Sequence, residues 1–303
     1  DLTDGRCPDH PLQKPRVLQE ENYFFALSKF RDRLLALYRE RPDFIRPDSR
    51  RNEVLNLVET GLEDVSISRQ NLTWGIPVPF DPRQTIYVWF DALINYVTAA
   101  GYGADEAKFG RLWPADAHVI GKDITRFHCA LWPAMLMAAE LDVPHRVQVH
   151  GFVTLRGAKI SKSLGNVVDP MDLASRFGAD AFRYFFMREC PFTGDGEFDY
   201  DRFAAVYNSD LANNLGNLYS RTVTMCLRYF DGVLGPAVPW GGVAGGDRES
   251  IVREVRARIE AFEYNAALAA IWQGVLVPAN QHIDRTKPFE LAKRDPDACR
   301  RVL

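Results

Sequence analysis

The chain has 303 residues, of which 47% are hydrophobic and 25% are charged, which excludes a disordered or fibrous protein and suits two or three globular units. It contains 37 Lys and Arg residues against 40 Asp and Glu residues, so the formal net charge is −3. This balance excludes a protein-wide basic field, and any contact with RNA has to come from local patches.

The cysteines and the apolar runs bear on the cellular compartment. An odd number of cysteines, 5, is dispersed along the chain without a paired framework, which is typical of a reducing compartment. No apolar run approaches the roughly 18 residues that a membrane span needs. We therefore expect a cytoplasmic protein that makes no contact with a membrane.

The first half of the chain alternates between helical and strand patterns. Apolar residues recur at helical spacing over 23–39, and a second, short helix is predicted over 51–58. Three β-rich runs predict strands at 85–90, 117–120 and 146–150. Helices are predicted between these strands at 92–100 and 124–140, the second kinked or broken by a proline.

This alternation favours an α/β fold with a parallel sheet and right-handed crossovers. Ligands of such sheets bind beyond the carboxyl ends of the strands. We therefore expect Trp89, Asp91, Asp123 and Gly151 to lie near one crevice.

From Gly178 onward the sequence predicts helix throughout. A long helix is predicted to begin after an N-cap at Ser209 or Asp210 and to end at Phe230, before Gly232. Two further helices follow a Gly/Pro-rich loop, at 248–262 and 264–285, and three such helices make a bundle. The apolar stripe predicted for the long helix consists of Leu211, Leu215, Leu218, Thr222, Met225 and Tyr229.

The segment 151–166 (GFVTLRGAKISKSLGN) predicts a short hairpin that turns at Arg156 and Gly157 and leads into a loop with two lysines, Lys159 and Lys162. Mobile ammonium groups stabilise the charge that builds up on the phosphates of ATP during attack by a carboxylate. Small residues let backbone N–H groups approach phosphate oxygens. A five-residue pattern alone describes many exposed loops.

In its context this loop resembles the KMSKS signature of class I aminoacyl-tRNA synthetases, with Ile160 in the place of Met. The resemblance implies that Lys159 and Lys162 are catalytic, with ATP and Mg²⁺ as the nucleotide and its metal ion. It also implies an ATP site that consists of Gly121, Gly151, Phe152, Val153, Lys159, Ser161, Lys162 and Ser163.

Two further segments, 87–96 (YVWFDALINY) and 121–128 (GKDITRFH), resemble those that line the amino-acid pocket of methionyl-tRNA synthetases. An aromatic floor suits a polarizable thioether, and a carboxylate such as Asp123 can hold an ammonium group. Seen alone, these aromatic residues would be ordinary core residues. The resemblance implies a methionine site made of Trp89, Ala92, Tyr96, Asp123 and His128.

The bundle carries a third signal. Asn213, Asn217 and Arg221 are spaced four apart and form a polar row on the face away from the apolar stripe. Such a row is usually a solvated face, but amides and a guanidinium can also read the edges of unpaired RNA bases. Its resemblance to the anticodon helix of the same family implies contact with tRNA(Met). Phe289 stands where the family commonly has Trp.

The N-terminal segment contains Cys7 and His10, which resemble half of a zinc knuckle. A structural zinc needs four ligands, so zinc is expected only with further ligands upstream of this sequence. The sequence also lacks a His-x-Gly-His motif, the HIGH signature of class I synthetases. We therefore expect a fragment that comprises the second half of a Rossmann-type catalytic domain and an α-helical anticodon-binding bundle, and that forms the adenylate poorly alone.

The expected domains are a remnant of the connective insertion at 1–22, half of the catalytic domain at 23–150, a KMSKS and stem-contact region at 151–200, and a truncated bundle at 201–303. The function implied is that of a methionine–tRNA ligase with methionine, ATP and tRNA(Met) as partners. Two alternatives stay open: a class I synthetase for cysteine, leucine or valine, and a non-catalytic tRNA-binding paralogue. The sequence does not fix the oligomeric state.

Overall fold

A computed structural model describes residues 19–155, 157–159, 168–235 and 247–303, with the backbone alone described at 158 and 159. By its internal contacts the chain divides after Val149 into two compact units, Asp1–Val149 and His150–Leu303. Each unit is described by itself below. The finer domain boundaries expected from the sequence, at 22 and 200, stay predictions.

The first unit is built from eight strands and five helices within its described residues. The strands are β1 (Phe24–Phe25), β2 (Ile45–Arg46), β3 (Val65–Ser66), β4 (Ser68–Gln70), β5 (Pro77–Val78), β6 (Asp81–Ile86), β7 (His118–Gly121) and β8 (Val147–His150). The helices are α1 (Arg31–Glu40), α2 (Asp48–Thr60), α3 (Val88–Ala100), α4 (Glu106–Leu112) and α5 (Trp132–Ala138).

A three-stranded sheet in the order β2-β8-β7 confirms the strands predicted at 117–120 and 146–150. β2 pairs in parallel with β8, with Ile45 opposite Val147. Both residues are almost fully buried, as expected of a parallel strand that is covered on both faces. The sheet places the carboxyl end of β7, at Gly121, beside the turn that carries Asp123.

The strand predicted at 85–90 is confirmed only at residues 85 and 86 and is wrong from Tyr87 onward. β6 pairs antiparallel with β4 and β5, in a separate sheet, and ends at Ile86. Beyond Tyr87 the helical spacing of Leu93, Val97 and Ala100 buries one face in the core, which favours a helix from Val88. Trp89 and Asp91 therefore lie in the first turns of α3 and not at the end of a parallel strand.

Two predicted helices have different limits in the structure. The pattern at 23–39 opens with β1, which pairs with β3, and a 3-10 turn at Leu27–Phe30 precedes α1. The helix predicted at 124–140 consists of a π-helical turn at Phe127–Leu131 followed by α5. Pro133 cannot donate to the carbonyl of Cys129, and the hydroxyl of Tyr38 donates to that carbonyl instead, at 2.5 Å.

Two clusters of buried side chains stabilise this unit. The first joins α1 and α2 to the β2-β8-β7 sheet through residues such as Leu34, Val58 and Val149. The second joins α3 to α5 through Leu93, Trp132 and their neighbours. The second cluster is rich in aromatic rings, and it adjoins the residues that the sequence places in a binding site.

The second unit begins with a small sheet in the order β10-β9-β11, whose strands are β9 (Val153–Leu155), β10 (Ala158–Lys159) and β11 (Gly196–Phe198). β9 and β10 form the predicted hairpin, and Gly157 adopts a positive φ of 73° in its turn. β11 pairs in parallel with β9, so the expectation of helix throughout from Gly178 is wrong. The alternation of Gly196 and Phe198, both buried, with Glu197 explains the short strand.

The helices of the second unit pack together after this sheet. Their bounds are α6 (Pro170–Phe177), α7 (Ala179–Glu189), α8 (Tyr200–Val206), α9 (Asn217–Phe230), α10 (Arg248–Glu260), α11 (Tyr264–Ile271), α12 (Val277–Thr286), α13 (Pro288–Arg294) and α14 (Pro296–Val302). π-helical segments at Tyr207–Gly216 and Trp272–Leu276 join α8 to α9 and α11 to α12. The helices predicted at 248–262 and 264–285 are confirmed.

The long helix begins earlier than predicted. Asp199 is its N-cap, because its carboxylate accepts a hydrogen bond from the backbone N–H of Arg202, at 2.9 Å. Asp231 ends the helix in the left-handed region, just before Gly232. The π-helical segment shifts the register of the predicted apolar stripe, so that Leu215 is 41% exposed while Cys226 and Phe230 are buried.

Within the described ranges, no helix is long and apolar enough to cross a membrane. The same ranges contain no group of three or more His, Cys, Asp or Glu side chains arranged to hold a metal ion. Cys7 and His10 lie outside the described residues.

Candidate functional site

The first turn of α3 places Trp89 against a second aromatic ring. The indole of Trp89 stacks on Phe127, with ring centroids 4.3 Å apart and planes 13° from parallel. Phe127 opens the π-helical turn that precedes α5. The first turn of α3 and the π-helical turn therefore meet through a flat aromatic pair. Ala92 follows Trp89 by about one turn of α3 and is half-buried.

Tyr96 and His128 form a hydrogen-bonded second contact between α3 and the π-helical turn. The Tyr96 hydroxyl lies 2.9 Å from Nε2 of His128, and Nδ1 of His128 lies 3.1 Å from the carbonyl oxygen of Ile124. A carbonyl oxygen can only accept, so the proton of the neutral ring is on Nδ1. Nε2 then accepts from the Tyr96 hydroxyl, and the direction of each hydrogen bond is fixed.

Burial keeps this pair uncharged. Desolvation lowers the pKa of His128 below its ordinary value, and the hydrogen bond to Ile124 opposes part of the shift. Desolvation also raises the pKa of Tyr96. At neutral pH the site therefore presents a neutral imidazole and a neutral phenol.

The carboxylate of Asp123 lies close in sequence to this pair but in a different environment. It is exposed in the 3-10 turn Lys122–Ile124 that follows Gly121, while His128 is buried. Within the described part of the chain it makes no side-chain hydrogen bond or ion pair. It is thus the acceptor at this site that is free to bind a cationic group.

Sequence reasoning missed two residues of this cluster, His118 and Trp132. His118 is the first residue of β7 and is buried against Tyr96, with ring centroids 4.2 Å apart. The indole N–H of Trp132 donates to Nε2 of His118, at 3.1 Å. The available signal was a histidine on the inward-facing side of a short apolar strand, where a polar residue needs a partner.

In the second unit, Gly151, Phe152 and Val153 form one edge of a tightly packed turn. The backbone N–H of Gly151 donates to the carbonyl of Phe192, at 3.1 Å, and that of Phe152 donates to the carboxylate of Asp195, at 2.8 Å. Val153 begins β9, whose partner β10 contains the backbone of Lys159 opposite Thr154. The hairpin thus leads directly into the lysine loop. Ser161, Lys162 and Ser163 lie outside the described residues.

The polar row of the bundle is only partly accessible. Asn213, in the π-helical segment, and Asn217, in α9, are exposed, while Arg221 is half-buried. The guanidinium of Arg221 donates to the carboxylate of Asp284 in α12, at 2.7 Å. Phe289, in the first turn of α13, is 46% exposed.

Comparison with protein families gives a match over residues 1–223 to the family described as tRNA synthetases class I (M). The matched range includes the aromatic site, the hairpin with its lysine loop, and the polar row of the bundle. It ends before Phe289.

Curated relatives and a solved structure agree with this match. The chain is 50% identical over 297 residues to a methionine–tRNA ligase of Caldanaerobacter subterraneus subsp. tengcongensis, covering 96% of this chain and 46% of that protein. A methionine–tRNA ligase of Synechocystis is 49% identical over 303 residues, covering 97% of this chain and 56% of that one. The chain thus spans about half the length of the curated relatives it matches.

The solved structure is that of Mycobacterium tuberculosis methionyl-tRNA synthetase in complex with methionyl-adenylate. It superposes with a TM-score of 0.85 at 43% identity, covering 93% of this chain and 56% of that chain. The apo form of the same enzyme gives a TM-score of 0.82 at 41% identity.

Proposed function

We propose, because this chain belongs to the methionyl branch of the class I tRNA synthetases, that it takes part in charging tRNA(Met) with methionine. The observations that carry the proposal are the uncharged pair of Tyr96 and His128 and the stack of Trp89 on Phe127, both between α3 and the π-helical turn. These side chains lie in the two segments that resemble the methionine pocket of that branch. A role in translation also places the protein in the cytoplasm.

In the proposed methionine site, Trp89, Ala92, Tyr96 and His128 surround the thioether side chain. Burying a thioether against aromatic rings is favourable and needs no charge partner. The exposed carboxylate of Asp123 accepts the α-ammonium group of methionine in a charge-assisted hydrogen bond. An uncharged pocket next to a carboxylate therefore fits a zwitterion with an apolar side chain.

In the proposed reaction, a carboxylate oxygen of methionine attacks the α-phosphorus of ATP, and pyrophosphate leaves with the bonding electrons. Lys159 and Lys162 stabilise the charge on the phosphates, and Ser161 and Ser163 contribute hydrogen bonds at the same loop. Gly121, Gly151, Phe152 and Val153 provide backbone surface against the nucleotide. Carboxylates and phosphate oxygens are the ligands that Mg²⁺ prefers.

In the second step a hydroxyl of the tRNA 3′-terminal ribose attacks the methionyl carbonyl carbon, and AMP leaves. Asn213, Asn217 and Arg221 are proposed to read unpaired anticodon bases, with Phe289 as a stacking surface. If zinc were bound, Cys7 and His10 would supply two of the four ligands that a structural zinc needs, and the other two would have to come from other residues.

The proposal is tested by equilibrium binding of a non-hydrolysable methionyl-adenylate analogue to the chain. Analogues with cysteinyl, leucyl and valyl groups are matched controls. Preference for the methionyl analogue by at least about tenfold, roughly 1.4 kcal/mol, is expected from one well-formed apolar pocket. Preference for the cysteinyl, leucyl or valyl analogue would favour another class I specificity, equal binding of all four would contradict a methionine-specific pocket, and failure to bind any would favour the non-catalytic paralogue.

A second measurement separates the roles of the lysines from that of the pocket. Lys162→Ala is expected to weaken binding of the adenylate analogue and of ATP while methionine affinity stays unchanged. Equal losses for methionine and ATP would contradict the assignment of Lys162 to the phosphates.

A further inference from the structure

His118 is buried and contacts Tyr96 of the proposed amino-acid site, although it lies outside the two sequence segments, 87–96 and 121–128, that predict this site. The residue is 5% exposed, and its backbone N–H donates to the carbonyl of Arg146, at 2.9 Å. Its imidazole lies over the ring of Tyr96, tilted by 30°, with the centroids 4.2 Å apart. One face of Tyr96 is therefore covered by a ring that is fixed to the sheet.

The orientation of His118 is itself fixed by Trp132. The Trp132 indole can only donate a hydrogen bond, so Nε2 of His118 accepts it and the ring proton is on Nδ1. Trp132 is 2% exposed. The centroid of its ring lies 6.0 Å from that of Tyr96 and 6.1 Å from that of Trp113. A protonated His118 would turn its Nε2–H toward the N–H of Trp132.

Burial favours the neutral ring. Desolvation, and after it the neighbouring His128, lower the pKa of His118 to about 4. The two imidazoles are 6.5 Å apart between centroids, with Tyr96 in contact with both. Trp132, His118, Tyr96 and His128 thus form one uncharged array in which every hydrogen-bond direction is defined.

We propose that His118 is a positioning residue for the amino-acid pocket, which acts by holding the ring of Tyr96 so that its hydroxyl donates to His128. This proposal rests on the proposed function, because it assigns the array to recognition of a methionine side chain. His118 makes no contact with the substrate in this role. Its effect is to keep the Tyr96 hydroxyl donating its hydrogen bond to His128. The side chains that line the pocket then stay uncharged, as a thioether requires.

The test compares three variants with the wild-type chain. His118→Gln keeps a neutral acceptor for Trp132, and His118→Leu removes it. Trp132→Phe removes the donor instead and keeps an aromatic ring at that position. His145→Gln is the matched control, because His145 is an exposed histidine of the same unit.

The first readout is the ¹⁵N–¹H correlation of the histidine rings, which reports through the Nε2 shift of His128 whether that nitrogen accepts the Tyr96 hydroxyl, and which needs no ligand. The second is the affinity for methionine. His118→Leu is expected to release the Tyr96 hydroxyl from Nε2 of His128, which moves the Nε2 ¹⁵N signal while the Ile124 carbonyl keeps the proton on Nδ1, and to weaken methionine binding about tenfold. His118→Gln is expected to stay within about threefold of wild type, and His145→Gln to change neither readout.

Unchanged His128 signals in His118→Leu, or unchanged methionine affinity, would overturn the proposal. A purely structural role would lower the melting temperature but leave the Nε2 signal of His128 unchanged in the folded protein. Should His118→Leu fail to fold, Trp132→Phe decides, because loss of the indole donor releases the His118 ring and must then move the Nε2 signal of His128, and an unmoved signal would overturn the proposal. If the wild-type chain binds no methionine, the proposed function fails, and the ring signals alone decide whether His118 positions Tyr96.

Discussion

Gly151 lies directly against the backbone of Gly194, so that a Cβ atom on Gly151 would overlap the carbonyl group of Gly194. The two glycines close the turn from which β9 begins, and the backbone of Gly151 donates to the carbonyl of Phe192. The base of the hairpin that leads into the lysine loop therefore depends on a residue without a side chain at position 151.

This contact predicts that Gly151→Ala destabilises the second unit by about 3 kcal/mol, because backbone atoms cannot move aside as a side-chain tip can. Gly157→Ala is the matched control on the same hairpin. Its Cβ would meet open space, and its positive φ of 73° predicts a cost of only about 1 kcal/mol. Denaturant unfolding of both variants measures the difference. Equal costs would show that the turn relaxes around Gly151.

The neutral state of His118 predicts a pH dependence of stability. Its pKa is about 4 in the folded chain against 6.5 for the free side chain. Above pH 6.5 the ring is neutral in both states and contributes fully. As the pH falls below 6.5, the unfolded chain binds a proton that the folded chain excludes, so stability is lost down to about pH 4, by about 3 kcal/mol in total.

The measurement is the free energy of unfolding of wild type and His118→Gln between pH 8 and pH 4. Because Gln does not titrate, the advantage of the wild type over the variant should shrink as the pH falls through this range. Titration of His128 is common to both proteins and largely cancels from the comparison. A difference that stays constant with pH would mean that folding does not shift the pKa of His118.

The stack of Trp89 on Phe127 predicts graded effects on methionine affinity. Trp89→Phe keeps an aromatic ring for the stack, and its affinity should fall only a few-fold. Trp89→Ala removes the ring and should weaken binding at least tenfold, which corresponds to about 1.4 kcal/mol or more. Val88→Ala is the control, since Val88 is adjacent in α3 but 63% exposed. Equal affinities for Trp89→Ala and Val88→Ala would remove Trp89 from the site.

Much of this site could be predicted from sequence because its residues come in short motifs. The segments at 87–96 and 121–128 contain Trp89, Tyr96 and His128, and the structure joins Tyr96 to His128 by a hydrogen bond. The strand predicted at 85–90 was wrong beyond Ile86 because β-branched and aromatic residues favour strands locally. A helix from Val88 instead buries Leu93 and Val97 in the core, and this tertiary burial outweighs the local preference for a strand.

His118 and Trp132 escaped sequence reasoning for a different reason. They are separated by 14 positions, and only the packing of β7 against α5 brings them into hydrogen-bond contact. The same limit applies to Arg221 and Asp284, which are 63 positions apart. Pairings of this kind depend on how elements dock, and neither periodicity nor a local motif encodes them. The π-helical segment at Tyr207–Gly216 likewise changes which residues of the long helix face the core. The predicted apolar stripe assumed a regular period of 3.6 residues and therefore had the wrong register.

The ion pair of Arg221 with Asp284 gives the last prediction, which separates recognition from stability. The Arg221 and Asp284 side chains are 33% and 66% exposed, so Arg221→Ala should cost less than about 1 kcal/mol of unfolding free energy. If Arg221 reads a base, the same change should weaken binding of an anticodon stem-loop of tRNA(Met) by 1–3 kcal/mol, about 5- to 150-fold.

Arg228→Ala is the control, because Arg228 is an exposed cation near the end of the same helix α9. Removal of a cation that only contacts phosphates should weaken binding to cognate and altered anticodons alike and reduce the salt dependence. Arg221→Ala should instead reduce the preference for the cognate loop over an altered one. Filter binding at two salt concentrations measures both effects. Identical losses for the two loops in Arg221→Ala would mean that Arg221 contacts phosphates and reads no base, and no loss for either loop would leave the ion pair to Asp284 as its only role.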